Sequence, residues 1–323
     1  MIRPLAPARA LGDFLALQDP AGDFSVAVAG TSVALTHVDR VYWPEDRITK
    51  HEVLRYYALV WPELGPFLFE RPMILKRFPR GLSGPSFFQH DFQGAPSGLA
   101  RARLRNRQGR TIHYAVVRTL ADLFTLVNAG ALELHPWLSR LDALDRPSLA
   151  VIDLDPGEGV VWRQIEELAL VVRDVLARDF GVQGAPKTSG SRGLHVLVAL
   201  DGRRRYDELG PALRELGRQV AGRAGTLATL ERSLSKRGPR QIYVDLLQNA
   251  RGKGIVAPYS LRVRPHAPLS WPLSWDEVER GVDPALFTLR RAGARAPLLS
   301  EPWRDFSLRP QRLGAAPSRA PRG

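Results

Sequence analysis

The chain has 323 residues, a net charge of +13, an ordinary 44% hydrophobic share and no cysteine, which removes disulfides, thiolate nucleophiles and cysteine-based zinc sites together. No uncharged run is long enough to span a bilayer, and the start MIRPLAPARALGDF lacks the apolar block of a secretory signal, so a cytoplasmic protein with no membrane partner is expected. The basic excess favours polyanionic partners, nucleic acid foremost.

Residues 1–30 are rich in Ala, Gly and Pro and read as an N-terminal leader. Thr49-Lys50-His51-Glu52 has the form of a capping box, Thr at the cap and Glu three residues on, ahead of the apolar Val53, Leu54 and Tyr57. RPMILKRFP (71–79) reads as a strand between prolines, RTIHYAVV (110–117) alternates like another, and LADLFTLVNAG (120–130) reads as a helix stopped by glycine. In the second half LAVIDL (149–154) is a strand, and 160–180 is a helix with apolar positions recurring at three and four. GAPKTSGSRGLHVLVAL (184–200) then reads as strand, Gly/Ser turn, strand. A helical stretch over 206–236 leads to the strand QIYVDLL (241–247), and 307–323 form a basic flexible tail rich in Pro, Arg and Ala. Elements mixed in this way predict an α+β (mixed α/β) fold.

The strand LAVIDL carries Asp153 near its end and is followed at once by Asp155, and a period of two puts the two on one face. Asp245 lies in the strand 241–247. Three carboxylates at strand ends repel one another unless a divalent cation, Mg²⁺ or Mn²⁺, joins them, and two such ions can clamp the oxygens of a phosphoryl transfer. Asp before Pro156-Gly157 is also ordinary turn chemistry, and the spacing alone leaves both readings open. KTSGSRGLHV (187–196) puts two glycines, two serines and Arg192 into a tight link, whose backbone N–H groups can form an anion nest; a plain hairpin is the alternative.

Only five of the 46 basic residues are lysine, so Lys50, Lys76, Lys187, Lys236 and Lys253 are candidates for places that want a compact charge. Lys50 falls in the first turn of the helix capped by Thr49, with Arg40 near in sequence, and a basic helix N-terminus is either a phosphate pocket or an exposed surface. Phe87 and Phe88 sit in the polar stretch SGPSFFQHD, close in sequence to Lys76 and Arg77, where rings either stack on bases or fill a strand edge.

In chain order, VYWPEDRITKHEVLRYY, RPMILKRFPRG with the following FFQ, ALELHPW, IDLDPG, KTSGSRGLHV, and YVDLLQN with APYSLR resemble the polymerase domain of the bacterial DNA ligase D family, within the archaeo-eukaryotic primase superfamily. The resemblance runs from about Leu35 to about Arg264. It implies a primase-polymerase fold of two packed β-sheets flanked by helices, in a catalytic domain over 31–306. A DNA-end and 5′-phosphate-binding part would cover about 31–140, and the metal and nucleotide site about 145–265.

The same resemblance implies roles for single residues. Asp153, Asp155 and Asp245 would bind two divalent ions, Mn²⁺ or Mg²⁺. Ser189, Arg192, His195 and Arg262 would contact the triphosphate of an incoming NTP or dNTP. His135 would lie by its sugar, Phe88 would stack on its base, and Lys76 would stand beside it. Phe87 would meet the template strand, and Arg40 with Lys50 would take a 5′-phosphate across a gap or break. Three positions depart from the family pattern: Arg40 where lysine is usual, His37 where a small polar residue is usual, and Leu246 where an aromatic commonly follows the aspartate. The ligase nucleophile motif K-x-D-G is absent.

The expected activity is therefore that of a template-directed DNA/RNA polymerase of the nucleoid that prefers ribonucleotides. It would fill gaps or extend ends in DNA repair, non-homologous end joining foremost, as a monomer with Ku and a separate DNA ligase as partners. Two rivals remain on the sequence: a metal-dependent aspartyl-phosphate phosphatase, and a non-catalytic DNA-end-binding module.

Overall fold

A computed structural model describes residues 8–94, 98–106, 108–295, 303, 306 and 309–314. The chain divides into two units, and it changes unit more than once. Unit 1 takes 1–136, 256–269 and 287–299; unit 2 takes 137–255, 270–286 and 300–323. The first change falls after Pro136. The return at Val256 assigns Arg262 to unit 1, whereas the three aspartates belong to unit 2.

In unit 1, β1 (Arg9–Ala10), β2 (Phe24–Val28) and β3 (Thr31–Leu35) form a three-stranded sheet in that order, with α1 (Leu11–Ala16) between the first two in the chain. Phe14, Val26 and Val28 are at most 1% exposed. The segment expected as a leader is therefore part of the fold from residue 8 onward. Burying such side chains contributes about 1.5–3 kcal/mol each, which outweighs the loose character of an Ala/Gly/Pro-rich composition.

The strands β4 (Val41–Trp43) and β5 (Ile48–Thr49) pair as a short antiparallel ribbon that runs into α2 (Lys50–Leu68). This helix starts as its sequence dictates: Thr49 accepts from the Glu52 N–H while the Glu52 carboxylate accepts from the Thr49 N–H. A five-stranded sheet follows, built from β6 (Pro72–Arg77), β7 (Phe87–Gln89), β8 (Arg101–Arg105), β9 (Thr111–Val116) and β10 (Ala131–Pro136). Its order is β10-β6-β9-β8, with β7 also on β6, and α3 (Leu120–Asn128) precedes β10. Because β6 is central, Pro72 to Leu75 are all buried, and Lys76 emerges only at its end.

Unit 2 is organised by one five-stranded sheet. It contains β11 (Leu149–Pro156), β12 (Ala185–Thr188), β13 (Leu194–Ala199), β14 (Ala228–Thr229) and β15 (Ile242–Asp245), in the order β12-β13-β11-β15-β14. The central strand β11 runs antiparallel to both β13 and β15. Leu149 to Ile152 are all buried, which accounts for an apolar run without alternation. Helices α4 (Trp162–Phe180) and α5 (Tyr206–Ala224) belong to the same unit, as does α6 (Trp275–Arg280) with its Ser274 cap.

The helix expected over 206–236 ends at Ala224. Gly225 takes φ 58° and ψ −127°, a conformation that breaks the helix and that side-chain-bearing residues avoid. Of the expected tail, 309–314 are held in place: the Gln311 N–H donates to Ala199 O, its carbonyl accepts from the Asp201 N–H, and Leu313 is 1% exposed. Residues 307, 308 and 315–323 lie outside the described residues. Among the described residues no helix is long and apolar enough to cross a membrane.

Candidate active site

The ladder of β11 fixes the acidic residues of unit 2. Asp153 stands directly opposite Asp245 of β15 and directly opposite His195 of β13, while Asp155 faces Tyr243. Side chains at opposed positions share a face, and so do residues two apart on one strand. The three carboxylates thus emerge on one side of the sheet. Burial pushes the Asp245 carboxyl above the usual carboxylate range; the Leu247 N–H, 2.7 Å from its Oδ1, works against this, and the neighbouring Asp153 adds to it. The Gln248 amide approaches the other oxygen at 3.5 Å. Asn249 accepts from the Val151 N–H at 2.9 Å and donates to Val151 O at 2.6 Å, so the DLLQN segment clamps β15 to β11 behind the aspartates.

Asp155 has a different environment. Its side chain is 52% exposed, and its Oδ2 lies 3.4 Å from the Arg237 guanidinium. Arg237 also donates to Glu231 O and Arg232 O, each at 2.9 Å, and its guanidinium centre sits 4.3 Å from the Tyr243 ring centroid. Nothing in the sequence distinguished this arginine among so many.

Carboxylate oxygens suit a hard divalent cation. The opposed pair Asp153 and Asp245, one of them held toward protonation by burial and by the other, is an arrangement that such an ion would relieve. Asp155 is engaged with Arg237, and among the described residues no group of three or more His, Cys, Asp or Glu side chains is gathered as a metal site. The donor set fits a divalent ion, with two of its three carboxylates juxtaposed.

The turn between β12 and β13 is held by Ser189. Its Oγ accepts from the N–H groups of Ser191 and Gly193, both at 3.1 Å, and its own N–H donates to Gly193 O at 2.9 Å. Two N–H groups of this turn are therefore directed onto Ser189. Gly193 is required for its size, because a Cβ there would stand 2.4 Å from Leu154 O. Arg192 is exposed and donates to Pro156 O at 3.3 Å, which places it beside the end of β11. His195 is 3% exposed, with Nε2 3.4 Å from Asp153 Oδ1 and Nδ1 2.8 Å from Lys187 Nζ.

Unit 1 gathers a second set of residues. Glu133 of β10, Lys76 of β6 and Phe88 of β7 form one cross-strand row. Glu133 is 2% exposed and is ringed by nitrogen donors: Lys76 Nζ at 3.8 Å, His135 Nε2 at 3.2 Å and Arg262 Nε at 3.1 Å. The Val263 N–H adds a bond at 2.9 Å. Burial alone would push this carboxyl up, but the His135 bond, Arg262 and the Val263 N–H overcome it and bring the pKa to about 2. The sequence reading passed over Glu133; its signal was a charged residue in the strand ALELHPW, two positions from His135. Phe88 is 54% exposed, lies edge-on to His135 at 5.6 Å, and has Lys76 Nζ 5.7 Å from its ring centroid. Phe87 is 46% exposed and belongs to the neighbouring Arg77 position of the ladder.

Lys50 is placed unlike an open phosphate ligand. It is 2% exposed, and Nζ donates to Thr36 O and Asn128 O at 2.7 Å and to Asn128 Oδ1 at 3.0 Å. An ammonium has three donors, and these acceptors engage all of them. Burial, with a further contribution from Arg40, lowers its pKa to about 8. Arg40 is half-buried and donates to Pro79 O at 2.6 Å. A cavity of about 740 Å³ in unit 2, lined in part by Arg173, Gln183 and Trp275, includes none of the residues singled out from the sequence.

The family model for the LigD primase-polymerase domain matches residues 49–303. The multifunctional non-homologous end joining DNA repair protein LigD of Mycobacterium tuberculosis is 36% identical over 270 residues, 79% of this chain and 34% of that protein. The multifunctional non-homologous end joining protein LigD of Pseudomonas aeruginosa is 31% identical over 321 residues, 97% of this chain and 37% of that protein. The chain thus spans about a third of the length of these relatives. The solved polymerase domain from Mycobacterium tuberculosis ligase D, in complex with DNA, matches with a TM-score of 0.78 at 31% identity, covering 86% of this chain and 99% of that one.

Proposed function

Because the chain belongs to the family of LigD primase-polymerase domains, we propose that it is a template-directed nucleotidyltransferase that extends a primer 3′-OH with nucleoside triphosphates. The observation that carries this reading is the register of β11, which opposes Asp153 to Asp245 and sets His195 beside Asp153. Family membership leaves the phosphatase reading of D-x-D without a supporting observation.

In the proposed reaction the primer 3′-oxygen attacks the α-phosphorus, the bond to the bridging oxygen breaks, pyrophosphate leaves, and the 3′-OH proton passes to solvent. Asp153, Asp155 and Asp245 would hold divalent ions, Mn²⁺ or Mg²⁺, which supply positive charge against the phosphates and make the 3′-OH more acidic. Ser189, Arg192 and His195 are assigned to the triphosphate, with Arg192 giving charge and His195 an N–H. In unit 1, Arg262 is assigned to phosphate, Lys76 to a place beside the nucleotide, His135 to the sugar, Phe88 to stacking on the base and Phe87 to the template. Base stacking on an exposed ring is worth about 1–3 kcal/mol. Arg40, with Lys50 supporting the pocket from within, is assigned to the 5′-phosphate.

The substrate would be DNA with gaps or ends bearing a 5′-phosphate, ribonucleotides would be preferred, and the setting would be non-homologous end joining with Ku and a separate ligase. Gapped, 5′-phosphorylated duplex supplied with Mn²⁺ and competing NTPs and dNTPs tests this directly. Incorporation dominated by ribonucleotides is expected. Salt-sensitive DNA binding with no incorporation would leave a non-catalytic end-binding module instead.

A further inference from the structure

Lys187 of β12, His195 of β13, Asp153 of β11 and Asp245 of β15 occupy directly opposed positions on four adjacent strands, forming one continuous row. The first member is fully buried. An ammonium placed there is costly unless its donors are well used. Lys187 Nζ lies 2.5 Å from Ser270 Oγ and 2.8 Å from His195 Nδ1. The Ser270 hydroxyl donates its proton to Thr188 O at 3.0 Å, so Ser270 Oγ accepts from Lys187.

An ammonium carries donors and no acceptor, so His195 Nδ1 accepts as well. An imidazole that accepts at Nδ1 carries its proton on Nε2. That nitrogen is the one that faces Asp153 Oδ1 at 3.4 Å.

We infer that Lys187 is a positioning residue: it locks His195 in the Nε2–H tautomer and aims that N–H along the row toward the aspartate pair. Its catalytic consequence rests on the polymerase reading given above, whereas the tautomer does not. A histidine holding this form offers a donor on the face where Asp153 emerges. Without Lys187 only the longer approach of Asp153, at 3.4 Å, still favours the proton on Nε2, so the Nδ1–H form gains ground and presents a lone pair to the same place, which an anionic phosphate would avoid. Lys187 needs no contact with substrate to have this effect. Partners that orient a metal-ligating histidine typically matter by roughly 10–100-fold, and a loss at the lower end of that range is expected for His195.

The test is long-range proton–nitrogen correlation NMR of the imidazole rings in the ¹⁵N-labelled, metal-free full chain, with His195 assigned by its absence in His195→Gln. The wild type is expected to show His195 protonated at Nε2 alone. Lys187→Met, which removes the donor at nearly constant volume, is expected to shift the proton toward Nδ1. Lys187→Gln, which keeps a neutral donor, should hold the Nε2–H form. In primer extension Lys187→Met should lose about tenfold or more in kcat with the KM for primer-template unchanged, and Lys187→Gln should recover most of that loss.

An Nδ1–H tautomer in the wild type, or an unchanged His195 spectrum in a folded Lys187→Met variant, would overturn the inference. If Lys187→Met does not fold, an Nδ1–H ring in Lys187→Gln overturns it and a retained Nε2–H ring supports it. If the wild type holds the Nε2–H form but extends no primer, the polymerase reading falls while the Lys187–His195 relation stands.

Discussion

Asp153 and Asp245 face each other across the antiparallel pairing of β11 and β15, two like charges where a cross-strand pair ordinarily gains from opposite ones. Neutralising one should therefore stabilise the metal-free protein. Asp245→Asn, whose amide oxygen can still accept from the Leu247 N–H, is expected to gain up to about 1 kcal/mol. Added Mn²⁺ should raise the Tm of the wild type and leave the variant's nearly unmoved. A lower Tm for the metal-free variant would mean that the pair does not repel in the way its register implies.

Glu133 provides a pH signature. Its folded pKa of about 2 lies below the ordinary value of 4.5, so its contribution is fully present above pH 4.5 and is lost as pH falls toward 2. Glu133→Gln keeps the side-chain shape but leaves Lys76, His135 and Arg262 without their shared carboxylate, at a cost of roughly 3 kcal/mol at neutral pH. Urea midpoints of both proteins from pH 7 downward should converge below about pH 4.5. A deficit that is constant across that range would assign the effect to packing.

Gly193 tests the geometry of the turn. A methyl group there would press on Leu154 O, between the two aspartates of β11. Gly193→Ala is expected to cost about 1–3 kcal/mol and to depress extension more than DNA binding. Calorimetry beside an anisotropy titration separates the two effects. An alanine tolerated without loss of Tm or extension would show that the strand ends have slack.

Lys50 and Arg40, paired by the sequence as a phosphate pocket, should part ways on substitution. Lys50→Met leaves Thr36 O and Asn128 O without their donor and is expected to destabilise by about 1–3 kcal/mol. Arg40→Ala should cost little stability but narrow the preference for gaps that carry a 5′-phosphate. The ratio of extension on phosphorylated and unphosphorylated gaps, measured beside Tm, reads both. Equal ratios in wild type and Arg40→Ala would remove Arg40 from the pocket.

Much of this arrangement could be read from local pattern. The box at Thr49, the strands around Leu75 and Ile152, and the aspartates at a strand end all follow from side-chain spacing. What could not be read depends on partners far away in the chain. Arg262 reaches Glu133 because the chain returns to unit 1 at Val256. Lys50 turns inward because Asn128 offers it two oxygens. For the Gly/Ser turn the sequence left an anion nest and a plain hairpin both open; two of its N–H groups, of Ser191 and Gly193, close on Ser189, since a hydroxyl within reach competes with any ligand. Lys187 was conspicuous as one of five lysines, but its position beside His195 needed the register of β12 on β13. The leader was misjudged because composition does not show that Phe14 finds a core.

The central claim is that the opposed pair Asp153 and Asp245 supports metal-dependent nucleotidyl transfer. Single-turnover extension of a gapped, 5′-phosphorylated duplex with Mn²⁺ and NTPs, comparing the wild type with Asp153→Ala at saturating DNA, tests it most directly. The wild type should add nucleotides complementary to the template, and Asp153→Ala should add none while binding the duplex with unchanged affinity. Extension by Asp153→Ala at the wild-type rate would contradict the claim.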